Sequence, residues 1–226
     1  MTTFREHHLR VSRTARFLVA GDATTAPEAW FVLHGYRQLA ERFIRRFAEL
    51  PGLRGGHRAV IAPEALNRFY VEEGSGPHGP ESRVGAAWMT RSDREHEIRD
   101  YVDYLDRLRD HVAAAAERVV VLGFSQGAET ASRWAVMGAT PKVDELILWG
   151  GGLAADLDGP AVAKSLEKSA ITFVAGDRDR WATQRSEAGM GLLRAEGVEA
   201  RRIVYAGGHR LDPEVLARHW PWPAPG

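Results

Sequence analysis

The stretch "VVVLGFSQGAET", Val119 to Thr130, joins an apolar run to a Gly-x-Ser-x-Gly motif and a series of small residues. A near-continuous apolar run is typical of a strand that is covered on both faces. A serine between two glycines, after such a strand and before a helix, predicts a nucleophile elbow at Ser125. Chance alone places this motif in roughly one chain in ten at ordinary Gly and Ser frequencies, so the prediction depends on its context.

The elbow places specific demands on the neighbours of Ser125. Side chains two positions away on either side would collide, which accounts for the glycines at 123 and 127. The backbone N–H of Gln126 would lie at the N-terminus of the following helix, where it can stabilise an oxyanion. The alternative interpretation is a glycine-flanked turn that binds a phosphate or no ligand at all.

Strand-like and helix-like runs alternate along the chain. The predicted strands are 15–21, 29–35, 57–63, 118–124 and the later runs "DELILWGG", "AITFVAGD" and "ARRIVYAGG". The predicted helices follow at 38–50, 92–112, 127–139, 183–196 and from Asp212-Pro213 onward. This alternation predicts an α/β protein with a mostly parallel central sheet and helices on both faces. No linker or repeat divides residues 1–226, so we expect a single domain.

One segment does not fit the alternation. Residues 64–91 form a long irregular stretch after a strand end, and loops of this length are usually functional or disordered. We predict an insertion that covers the active site as a fixed wall, because Phe69, Tyr70, Trp88 and Met89 can anchor it. The helix after this segment is expected to begin with a capping box formed by Ser92 and Glu95.

A serine nucleophile needs a base and an acid that orients the base. In this architecture the chain order is serine, acid, histidine. His209 follows a strand that ends in two glycines, at the sheet edge where ligands bind, whereas His219 lies in a helical run. His209 is therefore the predicted base, and its alternative role is a turn histidine that caps the last helix.

The acid is expected at another strand end, in "FVAGDRDRW". Both Asp177 and Asp179 qualify, and periodicity does not separate them. A second oxyanion donor is expected in "FVLHGYRQL", where Gly35 permits a tight turn and the Tyr36 N–H would point inward. His34 is interpreted as a structural histidine that braces this turn.

Composition excludes several classes of function. Thirty basic residues balance thirty acidic ones, so no net field attracts nucleic acid or an anionic membrane. The chain has no cysteine, which excludes thiolate chemistry and fits a cytoplasmic protein. The N-terminus does not resemble a signal peptide, and no apolar run is long enough to predict insertion into a membrane. No nucleotide-binding or metal-binding motif is present, so we expect neither cofactor nor metal.

Aromatic and apolar residues near the expected sheet edge form a candidate substrate pocket. The candidates are Trp88, Met89, Trp149 and Trp181, with Phe69 and Tyr70 beside them. Core packing or loop anchoring is the alternative for each of these side chains. Arg37 and Arg83 are candidates for binding an anionic group on the substrate, although a solvated surface arginine is the more common arrangement.

Four ordered motifs carry a resemblance to a known family. "LHGY" at 33–36, "GFSQG" at 123–127, "GDRD" at 176–179 and "GGH" at 207–209 resemble the phospholipase/carboxylesterase group of serine α/β-hydrolases, which includes the acyl-protein thioesterases. The resemblance covers roughly residues 31–220 and implies the α/β-hydrolase fold. It suggests a homodimer, which nothing else in the sequence indicates.

The resemblance also implies residue roles. Its Gly-x-x-Asp pattern makes Asp179 the catalytic acid beside Ser125 and His209, and it implies that the Tyr36 and Gln126 N–H groups form the oxyanion hole. Thioesterases of this group have Leu-Gly-Asp where this chain has Tyr36-Arg37-Gln38. Segment 64–91 is closer to an uncharacterised bacterial branch of esterases, so depalmitoylation is not carried over.

The sequence therefore predicts a serine esterase that hydrolyses small to medium carboxylic esters through an acyl-enzyme. Its partner would be a small-molecule ester rather than nucleic acid or membrane. One alternative is a non-catalytic protein of the same fold that binds a ligand or a partner, because fold alone does not determine function. Another is a thioesterase or amidase that uses the same residues.

Overall fold

The computed structural model describes residues 3–71, 77–139 and 142–222. Within these ranges, the strands are β1 (Phe17–Ala20), β2 (Glu28–Leu33), β3 (Arg58–Pro63), β4 (Asn67–Tyr70), β5 (Val84–Ala87), β6 (Arg118–Phe124), β7 (Glu145–Trp149), β8 (Ala170–Gly176) and β9 (Arg201–Tyr205). The helices are α1 (Ala40–Ile44), α2 (Arg94–Val112), α3 (Gln126–Met137), α4 (Gly159–Leu166), α5 (Arg180–Ala195) and α6 (Pro213–His219). A short 3-10 turn, Arg45–Phe47, extends α1.

Seven of the described strands form one sheet in the order β1-β3-β2-β6-β7-β8-β9. Strand β1 is antiparallel to β3, and the other neighbouring pairs are parallel. One core, between the sheet and helices α2 to α5, is centred on residues such as Phe31 and Trp134. The second core, under α1 and α6, includes Phe43, Trp149 and Trp220. The predicted α/β class, with a mostly parallel sheet covered on both faces, is confirmed.

Segment 64–91 is less irregular than predicted. Its described residues contain the antiparallel pair β4 and β5, and residues 72–76 lie outside the description. Sequence periodicity missed this hairpin because each strand has only four residues and Gly85 interrupts β5. An added Cβ at Gly85 would lie 2.7 Å from the Arg37 carbonyl oxygen, so glycine is needed for close contact with the turn after β2.

Two helix starts differ from the sequence predictions. The capping box at Ser92 and Glu95 is wrong, because α2 begins after Asp93, which has a φ of 54° and provides no side-chain cap. The Asp93 carboxylate instead accepts a hydrogen bond from His96 Nδ1 at 2.6 Å. Helix α4 was not predicted, although Asp158 caps its N-terminus and a proline lies in its first turn, the same signal that correctly marked α6.

Helix α3 lies so close to the sheet that neither Gly123, in β6, nor Gly127, in α3, could carry a side chain. A Cβ at Gly123 would overlap the Gly127 carbonyl group, and a Cβ at Gly127 would lie 2.7 Å from the His34 carbonyl oxygen while overlapping that of Leu33. Both obstacles are backbone atoms of the central strands or of α3 itself, so they cannot move aside. The helix therefore begins in direct contact with β6 and with the end of β2.

His34 fixes the direction of the chain as it leaves β2. Its side chain is fully buried, its Nε2 accepts from the Ala65 N–H at 3.1 Å, and its Nδ1 donates to the Gly35 carbonyl at 2.8 Å. Burial lowers the pKa of His34 to about 4, because the charged form would lose its hydration. The imidazole is therefore neutral in the fold, as its interpretation as a structural histidine requires.

No helix among residues 3–71, 77–139 and 142–222 combines the length and the apolar character that crossing a membrane would need. The longest, α2, has 19 residues but carries charged side chains throughout its length. The apolar residues of the described helices instead pack against the sheet.

Replacing Gly127 with alanine should destabilise the fold by about 3 kcal/mol, because the methyl group meets immobile backbone. Gly191→Ala is the matched control, since an added Cβ there has no heavy atom within 4 Å. In the middle of α5, that alanine should stabilise by roughly 0.5–1 kcal/mol. Urea unfolding of both variants measures the difference, and equal effects would contradict the close approach of α3.

Stability should fall as the pH drops from 6.5 towards 4. The folded-state pKa of His34, about 4, is below the unfolded value of 6.5, so the unfolded chain binds an extra proton in this window. The contribution, about 3 kcal/mol, is fully present above pH 6.5 and is lost as the pH falls through 4. Urea unfolding at several pH values should show a shallower pH dependence for His34→Gln than for wild type, and the exposed His7→Gln should retain the wild-type slope.

Candidate active site

Ser125 occupies a strained turn between β6 and α3. Its backbone has φ 55° and ψ −121°, a region that non-glycine residues rarely adopt. The Ser125 N–H donates to the Trp149 carbonyl at 2.9 Å, and the Ser125 carbonyl accepts from the Ala128 N–H at 2.9 Å. These bonds hold the residue in its unfavourable conformation, with the side chain at the carboxyl end of the sheet.

His209 lies within hydrogen-bond distance of this serine on one side and of Asp179 on the other. His209 Nε2 lies 2.9 Å from Ser125 Oγ, and His209 Nδ1 lies 2.5 Å from Asp179 Oδ2. A carboxylate can only accept, so Nδ1 carries the proton and Nε2 is left to accept from the serine hydroxyl. Three residues from separate strand ends therefore form one hydrogen-bonded chain in the order predicted from the sequence.

Asp177 and Asp179, which the residue pattern did not distinguish as the acid, make different contacts in the structure. Asp179 is buried and caps α5, where its Oδ1 accepts from the Ala182 N–H at 3.1 Å and the helix N-terminus favours negative charge. Asp177 is exposed, and its Oδ1 accepts from the Gly207 N–H at 2.9 Å. Asp177 thus holds the loop that carries His209 without contacting the imidazole.

Hydrogen bonds from Tyr205 and Trp149 hold the loop that carries His209. The Tyr205 hydroxyl donates within this loop, 3.1 Å from the Gly208 carbonyl and also close to that of Arg210. Trp149 Nε1 donates to the same Arg210 carbonyl at 3.0 Å. The imidazole itself lies between the Phe124 and Trp181 rings, with ring centroids 5.0 and 5.8 Å away.

The two predicted oxyanion donors lie beside Ser125. The turn after β2 is so close that a Cβ at Gly35 would be 3.2 Å from Ser125 Cβ. Among the described residues, the hydrogen bonds of this turn use the amides of Gly35, Arg37 and Gln38 and leave out that of Tyr36. Gln126 is the first residue of α3, where N–H groups have no partner within the helix. Among the described residues, neither the Tyr36 N–H nor the Gln126 N–H is used in another backbone hydrogen bond.

The Gln126 side chain has a role that the sequence did not reveal. Its Oε1 accepts from the Trp88 N–H at 3.1 Å, and its Nε2 donates to the Met89 carbonyl at 2.9 Å. Within β5, the Ala86 N–H donates to the Gln38 carbonyl at 3.1 Å, and the Ala86 carbonyl accepts from the Arg37 N–H at 3.0 Å. Segment 64–91 is therefore attached to both the elbow and the turn after β2. Hydropathy patterns give no signal for such polar contacts.

The predicted pocket residues divide into buried and exposed groups. Trp88 is fully buried, and its indole N–H donates to the His34 carbonyl. Trp149 is also fully buried, and its indole N–H donates to the Arg210 carbonyl in the His209 loop. Both therefore belong to the core and not to an open pocket, because ring N–H groups bonded to backbone hold them there. Met89 is half-buried, and Trp181 is 48% exposed with its edge against His209.

A second exposed ring belongs to Tyr36, next to Gly35 in the turn after β2. Tyr36 is 53% exposed and stacks on Phe69 at a centroid distance of 5.5 Å. Tyr70, predicted as an anchor of segment 64–91, is instead half exposed and stacks on His78. Tyr36, next to Gly35, and Trp181, against His209, are thus the exposed aromatic side chains that adjoin the site.

The described residues contain one group with potential metal-ligand spacing, His8, Asp93 and His96. It contains no residue of the Ser125 site. The His8 and His96 rings stack at 3.9 Å with an angle of 17° between planes, so their lone pairs run side by side and do not converge on one point. Both rings are hydrogen-bonded to the Asp93 carboxylate, which accounts for the cluster without an ion.

Comparisons with known structures agree with the fold. Acyl-protein thioesterase 2 from Zea mays has 17% identity and a TM-score of 0.69, with 92% of this chain and 97% of that chain covered. A phospholipase/carboxylesterase from Dyadobacter fermentans has 17% identity and a TM-score of 0.64, with 92% and 96% covered. A carboxylesterase from Mesorhizobium loti has 16% identity and a TM-score of 0.65, with 91% and 93% covered. At these identities the likeness shows an α/β-hydrolase fold.

Sequence comparison identifies the family. No curated protein matches the chain. The model of the FSH1 serine hydrolases does match, over residues 24–213, which include Ser125, Asp179 and His209. This match covers most of the chain and agrees with the resemblance to esterases and thioesterases of the same fold. The chain belongs to the FSH1 serine hydrolase family.

Proposed function

We propose that this serine hydrolase is an esterase that cleaves small to medium carboxylic esters through an acyl-enzyme on Ser125. The observation that carries the proposal is the hydrogen-bonded chain from Ser125 Oγ through His209 to the buried Asp179. The neighbouring N–H groups of Tyr36 and Gln126 supply the electrostatic stabilisation that acyl transfer requires. Membership of a serine hydrolase family and the esterase folds of similar structures support it.

The first half-reaction follows from the geometry. Ser125 Oγ attacks the ester carbonyl carbon while its proton passes to His209 Nε2, 2.9 Å away. The carbonyl oxygen becomes an oxyanion that accepts hydrogen bonds from the Tyr36 and Gln126 amides. Collapse of this intermediate breaks the carbon–oxygen bond, and the leaving alcohol takes the proton from His209. Asp179 keeps the imidazole in the required tautomer and stabilises its charged form.

Water completes the cycle in the second half-reaction. His209 removes a proton from a water molecule, which attacks the acyl carbon through a second oxyanion. The bond to Ser125 Oγ then breaks, Oγ regains the proton from His209, and the carboxylic acid leaves. Water reaches the site because the His209 side chain is 41% exposed and Ser125 is only half-buried.

The open site favours substrates of limited length. Trp181 packs against His209, Tyr36 follows Gly35 beside Ser125, and both rings are about half exposed, so in this proposal they offer apolar contact to the acyl group. Segment 64–91, attached to Gln126 and Gln38, forms one wall in this proposal. Esters with small to medium acyl groups are the class that we propose.

Ser125→Ala should reduce kcat/KM for p-nitrophenyl butyrate by roughly a thousandfold or more, because the nucleophile is removed. Ser165→Ala is the control, since that serine is exposed on α4. A fluorophosphonate probe should label wild type and Ser165→Ala but not Ser125→Ala. Absence of both turnover and labelling in wild type would instead favour a non-catalytic binding protein.

Asp179→Asn should lower kcat by about a thousandfold, because an amide can donate to Nδ1 and stabilise the wrong tautomer of His209. Asp177→Asn should cost less than about tenfold, since an asparagine Oδ1 still accepts from the Gly207 N–H. Steady-state kinetics with p-nitrophenyl butyrate compare the two variants. Equal losses would contradict the assignment of Asp179 as the acid.

A further inference from the structure

A basic cavity of about 210 Å³ lies beside the turn after β2. Arg37 from the turn, Arg42 and Arg46 from the first helical segment, and Arg83 at the start of β5 line it. Phe43 and Leu39 contribute apolar wall between these side chains. Arg37, Arg42 and Arg46 concentrate positive charge around this one small cavity, in a chain whose net charge is zero.

This charge is not neutralised by the nearest described acid. Glu41, next to Arg42 in α1, pairs with Arg16 and Arg45, with nitrogen–oxygen distances of 3.2 and 3.4 Å. Among the described residues, Arg42 and Arg46 form no ion pair, and the guanidinium of Arg37 is bonded only to the Val71 carbonyl. Their donors are therefore open to an external anion.

The cavity and the reaction centre share the same rigid turn. Arg37 directly follows Tyr36, a proposed oxyanion donor, and has the unfavourable φ of 65°. The Arg37 N–H donates to the Ala86 carbonyl at 3.0 Å, and the backbone of Arg37 rests on Gly85. Phe43 in the cavity wall also contacts Phe124, the residue before Ser125, at a ring distance of 6.2 Å. Gln38, which also lines the cavity, accepts from the Gly35 N–H through its Oε1 at 2.9 Å, so the cavity adjoins the turn beside Ser125.

We propose that this cavity is an anion subsite that binds a carboxylate or phosphate group at the far end of the ester substrate. The inference rests on the proposed esterase function and narrows its substrates to esters that carry an anionic group. Guanidinium groups bind such anions through paired, charge-assisted hydrogen bonds. The cavity is small, which suits a compact head group and not a long alkyl chain.

The test compares two esters of equal length, mono-p-nitrophenyl glutarate and p-nitrophenyl pentanoate. At low salt, wild type should show a kcat/KM ratio of at least about ten in favour of the glutarate ester, and added NaCl should reduce it. Arg42→Gln and Arg46→Gln should each lower this ratio by about tenfold. Arg45→Gln is the matched control on the same segment, because Arg45 pairs with Glu41 away from the cavity, and it should keep the wild-type ratio.

Equal kcat/KM for the two esters in wild type would overturn the proposal, and so would an equal loss in Arg45→Gln. Calorimetric titration of Ser125→Ala with glutarate and with inorganic phosphate tests the subsite without turnover, and whichever anion binds more tightly identifies the head group. The affinity for the tighter-binding anion should weaken at least tenfold in the double variant that combines Ser125→Ala with Arg42→Gln. If no ester is hydrolysed, the esterase function fails while this titration still decides the subsite, and absence of binding by both anions would refute it.

Discussion

The close contact between helix α3 and the two central strands is the constraint on which the site depends. Gly127 lies against the carbonyl groups that end β2, and Gly123 lies against Gly127, so the chain must turn within one residue between strand and helix. That residue is Ser125, and its positive φ is the consequence. The strain is balanced by hydrogen bonds to Trp149 and Ala128 and by burial of the α3 face against the sheet. The same contact brings the first N–H of the helix and the turn after β2 to the two sides of the serine.

Polar side chains then connect the surrounding loops to this centre. The Gln126 side chain bonds the backbone of Trp88 and Met89, the Gln38 side chain accepts from the Gly35 N–H, and the Asp177 carboxylate accepts from the Gly207 N–H. Each of these side chains contacts main-chain groups, so it fixes the position of a loop whatever side chains that loop carries. This arrangement explains how segment 64–91 and the His209 loop can be held in place although neither is part of the central sheet.

Much of the fold was predictable because it follows from hydrophobic periodicity and from glycine at close contacts. The central strands, the elbow and the positions of His209 and Asp179 at strand ends all have such a signal. Trp88 and Trp149 were misinterpreted as pocket residues because a sequence does not show that their indole N–H groups bond backbone carbonyls in the core. The capping box at Ser92 failed because Asp93 bonds His8 and His96, and His8 is remote in sequence. The residue pattern alone likewise left the two aspartates open; the family resemblance implied Asp179, and the structure shows it in contact with His209.

The division of the reactive groups among the strands has a consequence for local unfolding. Ser125 follows β6, in the centre of the sheet, whereas Asp179 and His209 follow β8 and β9, and β9 is an edge strand with β8 as its neighbour. Amide hydrogens of central strands generally exchange only on global unfolding, while edge elements open at lower free energy. The acid and the base therefore belong to the less protected part of the sheet and would separate from the serine together. The hydrogen-bonded chain can thus be interrupted reversibly at the edge while the strained serine turn, held by the centre of the sheet, stays folded.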